Sequence, residues 1–550
     1  MNSSDYAAHI RGSDNAEQTV REHCENVSRI AGEYAEDFNM SALAKIAGIL
    51  HDSGKLTFDF NEYIHSRGGF SRGEIDHSYS GARYITEFAG VGGIGEFTAA
   101  LIGRVIISHH GLHNWINDEY MDYFVKRISK NERFDEIKAG ITDICGNDEL
   151  KKLFGEAITE VKDLERKING IALKCESRSK AGRFYLGMAE RILLSALVDG
   201  DRTDTADFEA GESLGCTYEP YRVWENMQEN IEIMCSGFRK LTDKISLARM
   251  DISDRCVEFA KKERGICRLV VPTGGGKTVA SIRFAADYCR RYSKRRIFYI
   301  APFMSILEQN SSVLRSIVGD ENMFLEHHSD FAADISGREE LAEYELKCER
   351  WDRPVIATTM VQFLNTLFLG KMSSVRRTHC LANSVIIIDE IQSIPLKCVN
   401  LFNLAMNFLS EVCKSTIVLC SATQPVLDES TNKKLLPLNM DKEDSMTGDY
   451  TEDFNAFKRT KIIPIITDIG YSTEQTADFC LEKFRENGNL LIIVNTKKIA
   501  ADLYRRLSES SDGIEVRHLS TSMCPKHRED TLNEIRQLLK EEKPLICVTT

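Results

Sequence analysis

The stretch from Leu269 to Thr278, LVVPTGGGKT, constrains this chain more than any other. A short apolar strand (residues 268–271) runs into three consecutive glycines, and an amphipathic helix begins near Lys277. Gly274, Gly275 and Gly276 let the backbone curl so that successive N–H groups point inward and cradle phosphate oxygens. Lys277 is spaced to reach the β/γ-phosphates and the Thr278 hydroxyl to ligate Mg2+, with the positive end of the helix behind the anion. Residues Thr273 to Thr278 therefore read as a site for ATP with Mg2+.

The partners of such a site follow in order. Ser384-Val-Ile-Ile-Ile388 has the unbroken apolar run of a strand buried in a parallel sheet, and it delivers Asp389 and Glu390 at its C-terminal end. Asp389 would hold Mg2+ through water, and Glu390 would polarise the attacking water. Another strand (residues 295–303) precedes a strand-to-helix turn carrying Thr358, Thr359 and Gln362, groups suited to phosphate contacts that do not read bases. A fourth ends in Ser421-Ala422-Thr423, whose hydroxyls can link the nucleotide to movement between lobes. Strands at 489–496, 518–521 and 545–550 begin a second lobe. The sequence stops there with roughly half of a normal lobe supplied, so we expect a truncated chain whose own ATP turnover is impaired.

At 550 residues the chain exceeds one core, and three or more domains are expected. A net charge of −13 excludes a uniformly basic coat but leaves room for a local basic groove. The 16 cysteines form no C-x-x-C pair, which excludes the common zinc-ribbon and thioredoxin patterns. With a polar N-terminus and no apolar run approaching a membrane span, the expectation is a cytoplasmic protein with reduced thiols and no membrane partner.

Eight of the 13 histidines precede residue 114. His23 lies in a helical stretch, and an apolar helix (residues 41–50) runs directly into His51-Asp52-Ser53-Gly54-Lys55. Asp76-His77-Ser78, Ser108-His109-His110-Gly111 and, after a further helix, Asp199-Gly200-Asp201 complete the series. Imidazoles and carboxylates hold divalent transition metals while leaving positions open for water. A His-Asp pair at a helix end can serve two neighbouring ions, which would activate a water and stabilise the leaving oxygen of a phosphodiester. Lys55, one turn on from His51, could steady the phosphate or orient the nucleophile. His9, His65 and His113 have no comparable context and read as surface residues.

This order resembles the HD superfamily of metal-dependent phosphohydrolases. The segments Leu50 to Lys55, Asp76 to Ser78 and Ser108 to Gly111, ahead of a phosphate loop in the P-T-G-x-G-K-T form, resemble the CRISPR-associated helicase–nuclease of type I systems. The Asp-Glu-x-Gln box and the Val361-Gln362-Phe363 segment are similar to its subtype I-C branch; Gln392 stands where the family box carries His. The resemblance implies a multidomain chain, an all-α HD domain followed by α/β RecA-like helicase lobes with parallel sheets. We expect the HD domain at 1–205, a linker at 206–245, lobe 1 at 246–430, a spacer at 431–475 and an incomplete lobe 2 at 476–550. His23, His51, Asp52 and Asp199 would bind one Mn2+, Ni2+, Co2+ or Fe2+ ion, with Asp201 competing with Asp199. His77, His109 and His110 would complete a second site bridged by Asp52, and Arg249 would lie near the adenine. The implied activity is ATP-driven 3′→5′ translocation on single-stranded DNA, fed to the HD site for cutting after recruitment by the RNA-guided Cascade complex.

Two other readings fit parts of the pattern. An HD phosphohydrolase with an associated motor would act on free nucleotides and leave DNA intact. An ATP-switched nucleic-acid-binding adaptor would hold no metal at the His-Asp cluster.

Overall fold

The computed structural model describes residues 3–65, 78–113, 122–131, 133–175, 177–328, 338–425, 427, 437–440, 443–466, 468, 470–510 and 513–550. A small antiparallel hairpin opens it, β1 (Ala7–Ile10) and β2 (Glu17–Thr19), which the helical reading of this region did not contain. Nine helices follow among the described residues: α1 (Val20–Ala35), α2 (Ser41–Leu50), α3 (Phe58–Ile64), α4 (Ser80–Ala89), α5 (Gly93–Ser108), α6 (Tyr123–Ile128), α7 (Phe134–Ile144), α8 (Asn147–Ala172) and α9 (Arg178–Ala210). Thr19 closes the hairpin and starts α1 through a capping box with Glu22, which fixes where His23 sits one turn later. The α1 and α2 backbones touch. A Cβ on Gly48 would lie 2.5 Å from the Ser28 Cα, so only glycine allows the approach that brings His23 and His51 together.

Next come α10 (Pro220–Arg239), α11 (Lys244–Phe259) and a six-stranded parallel sheet. Its elements are β3 (Ile266–Val270), α12 (Lys277–Arg291), β4 (Arg296–Ala301), α13 (Met304–Val318), β5 (Phe324–His327), α14 (Arg338–Arg350), β6 (Val355–Thr359), α15 (Met360–Phe368), α16 (Met372–Arg376), β7 (Ser384–Ile388), α17 (Val399–Glu411) and β8 (Thr416–Ser421). The strand order is β3-β8-β7-β4-β6-β5, which puts the C-terminal ends of β3, β8 and β7 side by side. Period-two alternation splits the strands between two cores. Val385 and Ile387 join Leu269 and Tyr299 in one core with residues of α10 to α13. Ile386 and Ile388 join Phe298 and Ile300 in the other, with Phe363 and Phe402. That second core is continuous with the helical domain through Leu43, Ile192 and Leu197, so the two domains share one apolar interior.

Two stretches expected to be connecting chain are structural. The expected linker at 206–245 contains α10, which buries Trp224, Met227 and Ile231, and Trp224 Nε1 donates to the Lys294 carbonyl at 3.0 Å. Within the expected spacer at 431–475, the Asp444 carbonyl accepts from the Arg268 N–H at 2.8 Å and covers the open edge of β3. Close by, α18 (Thr451–Ala456) is tied down by Arg255, whose Nη2 donates to Asp453 at 2.6 Å.

The compact unit containing all of this ends at Lys458, and a second covers Arg459–Thr550. The second unit holds α19 (Thr473–Asn487), β9 (Asn489–Ile493), α20 (Lys497–Ser510), β10 (Glu515–Leu519), α21 (Pro525–Lys540) and β11 (Leu545–Thr549). Its sheet is parallel in the order β10-β11-β9. No helix among the described residues is long and apolar enough to cross a membrane.

If α10 is core and not linker, Trp224→Ala will lower the unfolding free energy of the first unit by about 3–5 kcal/mol in a denaturant titration. A loss below about 0.5 kcal/mol, the range of surface substitutions, would return the segment to the status of a linker.

Candidate functional site

The histidine cluster is assembled from helix ends. His51 follows the last residue of α2 and His109 the last of α5, and each solves the same local problem. A helix C-terminus leaves carbonyls unpaired; His51 Nδ1 donates to the Gly48 carbonyl at 2.8 Å and His109 Nδ1 to that of Ile106 at 2.6 Å. A carbonyl can only accept, so Nδ1 carries the hydrogen and Nε2 faces inward. On α1, His23 Nδ1 donates to Asp204 Oδ2 at 2.7 Å, and Gln18 Nε2 donates to the same oxygen at 2.8 Å. Three Nε2 atoms thus converge, each held by a partner on the far side of its ring, as in histidines that ligate metals.

Asp52 lies between them, and its two oxygens face different histidines. Oδ2 is 3.4 Å from His23 Nε2 and 3.6 Å from His51 Nε2, whereas Oδ1 is 3.6 Å from His109 Nε2. Asp201 closes the first group, with Oδ1 at 3.3 Å from His23 Nε2 and 3.8 Å from His51 Nε2. These gaps are long for hydrogen bonds. The gaps of 3.3 and 3.4 Å match two ligands on one ion, which stand roughly 3.0–3.4 Å apart when each bond is about 2.1 Å, and those of 3.6–3.8 Å are somewhat wider. The exposed His110 joins Asp52 and His109 in a second group whose ligand atoms lie within 4.8 Å of one another.

The cluster sets Asp52, Asp201 and Asp204 against His23, His51, His109 and Lys55. Burial alone would raise the Asp52 pKa, but Lys55 and His51, then His109 and His23, outweigh it and hold the carboxyl well below the usual range. Asp201 is likewise held low against burial by His23 and His51. Burial would lower the His23 pKa, yet Asp201, Asp204 and Asp52 raise it to about 10. Lys55 Nζ stands 2.7 Å from Asp52 Oδ2 and 3.3 Å from the Ala8 carbonyl. Buried carboxylates and inward imidazole nitrogens together form a donor set that fits a divalent cation.

Among the expected ligands, the structure brings together His23, His51, Asp52, His109 and His110. His77 lies outside the described residues. Asp199 requires a correction: its carboxylate points away and accepts from Arg376 Nε at 2.6 Å, and it is Asp201 that faces the histidines. Residues 199 and 201 are two apart on α9, roughly 200° around the helix, so they cannot share a face. Sequence reasoning also missed His9 and Asp204. His9 is half-buried with its ring 4.7 Å from that of His23, and burial followed by Lys55 lowers its pKa to about 3. Only the i, i+3 spacing of Asp201 and Asp204 signalled the latter, and nothing before the hairpin signalled the former. His65 pairs with Glu17 at 3.0 Å and His113 is exposed.

The nucleotide site lies at the C-terminal ends of β3, β7 and β8. Gly274 and Gly276 have φ near +83° and +81°, and a Cβ on Gly275 would sit 2.6 Å from Val271 Cγ1, so the loop needs glycine at all three places. Lys277 Nζ contacts Asp389 Oδ1 at 2.7 Å and also Glu390. Burial would lower the Lys277 pKa, but the two carboxylates raise it. Thr278 Oγ1 donates to Asn310 at 3.2 Å, and the Tyr299 hydroxyl donates to Asp389 Oδ2 at 2.6 Å. Arg249 Nε donates to the Gly274 carbonyl at 2.7 Å, beside a cavity of about 360 Å³ lined by Phe238, Leu241, Met250 and Val279.

Gln392 has a defined part. Its Nε2 donates to Glu390 at 2.6 Å and its Oε1 accepts from Ser421 Oγ at 2.6 Å, while Ser421 Oγ also accepts from the Thr423 N–H at 2.9 Å. A continuous chain of hydrogen bonds therefore runs from the expected water-polarising group to the Ser-Ala-Thr segment. The turn at 358–362 is less open than expected. Thr358 is buried and donates to the His327 carbonyl at 2.8 Å, Thr359 caps α15, and Gln362 accepts from Arg377 at 3.1 Å.

Metal analysis after incubation with Mn2+ and desalting tests the ligand set. Asp52→Ala should retain no ion, and Asp201→Asn less than wild type. Asp204→Asn, which loosens the His23 ring, should bind about 10–100-fold more weakly. Full retention by Asp201→Asn would remove that residue from the set.

Comparison with known proteins agrees with this architecture. Residues 20–146 match the HD domain family and residues 251–430 the DEAD/DEAH box helicase family. No curated protein matches the chain. Among solved structures, T. fusca Cas3 with AMPPNP is 13% identical, with a TM-score of 0.60 over 100% of this chain and 69% of that one. A CRISPR-associated protein is 14% identical with a TM-score of 0.54, over 100% of this chain and 68% of that one. A chain of a CRISPR RNA-guided surveillance complex in a pre-nicking state is 13% identical with a TM-score of 0.52, over 99% of this chain and 67% of that one. The chain thus joins an HD domain to a DEAD/DEAH box helicase domain, in the fold of the solved Cas3 structures.

Proposed function

We propose that this chain is a CRISPR interference effector that cuts single-stranded DNA at the HD cluster and moves along it in the 3′→5′ direction with ATP. The observation that carries the reading is the Asp52 carboxylate, whose two oxygens face separate histidine groups on a chain that also holds an ATP site. A Mn2+, Ni2+, Co2+ or Fe2+ ion bound there would supply Lewis acidity and an activated water. The protein holds the donors ready. His51 and His109 keep their orientation through helix-end carbonyls, and His23 through Asp204. Lys55 balances the buried Asp52 charge, while exposed His110 and half-buried Asp201 mark the side open to a phosphodiester.

The other domain supplies the motor. In this reading Lys277, Thr278 and Asp389 hold ATP with Mg2+, Glu390 positions the water, and Gln392 relays the state of the nucleotide to Ser421 and Thr423. Likeness to a chain of a surveillance complex supports recruitment by an RNA-guided Cascade assembly, which would place the protein in the cytoplasm.

Circular single-stranded DNA incubated with Mn2+ or Ni2+ and no ATP should be degraded by wild type and left intact by Asp52→Ala. Hydrolysis of free nucleotides with DNA untouched would instead make the cluster a nucleotide phosphohydrolase.

A further inference from the structure

Helix α9 has two working faces. Arg191, Ser195 and Asp199 recur every four residues and form one stripe, while Asp201 and Asp204 lie on the side facing His23. The stripe is engaged with the helicase domain. Arg191 Nη2 donates to the Thr366 and Leu369 carbonyls at the C-terminal end of α15, at 2.8 and 2.7 Å, and the Thr366 carbonyl also accepts from Thr378 Oγ1 at 3.0 Å. Ser195 Oγ donates to the Arg376 carbonyl at 2.8 Å and accepts from the His379 N–H at 2.9 Å. Arg376 Nε donates to Asp199 Oδ1 at 2.6 Å, and both side chains are 3% exposed. One turn on, Arg202 lies 3.4 Å from Glu349.

We infer that the Asp199–Arg376 pair is a positioning element for the metal centre, through which the helicase domain holds Asp201 and Asp204 in register with His23 and His51. This rests on the HD cluster being a metal site. The reason is mechanical. A helix is a stiff rod, and Asp199 is only two residues from Asp201, so a shift or rotation of α9 at the pair moves the acids by a similar amount. The gaps between ligand atoms in the first group are 3.3–3.8 Å, small enough for such a displacement to spoil coordination. Helix α15 begins at the Thr359 cap, so the turn expected to meet nucleic acid and the acids of the metal centre lie at opposite ends of one connected path: α15, Arg191, α9.

The test is Mn2+ affinity of the full chain, read from the free-Mn2+ resonance during titration, with the helical circular-dichroism signal as a check on folding. Arg376→Gln, in the helicase domain, should weaken binding about tenfold or more, and Arg376→Lys should recover most of the loss. Asp199→Asn combined with Arg376→Gln removes both charges of the pair, leaving buried Arg350 with Asp352, and should remain weak; it decides the matter if the single variant does not fold. Wild-type affinity in the folded variants overturns the inference while leaving the metal centre intact. Absence of Mn2+ binding by wild type overturns the metal centre and the inference together.

Discussion

A buried carboxylate needs partners, and the N-terminal domain is arranged around the needs of Asp52. An isolated carboxylate in an apolar interior is strongly disfavoured. Here the charge is met by three imidazoles and one ammonium, brought in by α1, by the ends of α2 and α5, and by the short turn after Asp52. Those groups can meet only because Gly48 lets α1 and α2 touch and because two helix C-termini orient their closing histidines alike. The packing therefore serves an electrostatic end: it gathers imidazoles and an ammonium around one buried carboxylate.

The same logic separates the two acids at the end of α9. Asp199 and Asp201 are chemically identical and two residues apart, yet one is consumed by Arg376 and the other faces His23. A buried arginine is as demanding as a buried carboxylate, and each satisfies the other. One helix thereby serves as a wall of the histidine cluster and as a seam with the α/β domain. The continuous apolar core beneath both domains explains why that seam can be rigid.

In the α/β domain, Gln392, which stands where the resembling family carries His, bridges Glu390 and Ser421. The amide offers a donor to Glu390 and an acceptor to Ser421 at once. A neutral histidine could also do both, so the exchange keeps the chemistry of the link and removes its capacity to titrate.

Much of this was legible in the chain itself. The phosphate loop, the β7 strand with its two acids, the α2 helix ending at His51-Asp52 and the order of the histidines each depend on neighbours within a few residues, where local geometry dictates the outcome. So does the parallel α/β character of the second domain, since period-two and unbroken apolar runs report burial directly. What lies far apart in sequence was decided by the tertiary structure. His9 enters the cluster from a hairpin with no motif of its own, and Asp204 supports His23 across 181 residues. Trp224 turns an apparent linker into core because a sheet helix is there to receive it. Composition and spacing identify which groups can ligate, but which aspartate faces the histidines depends on where an arginine from another domain comes to rest.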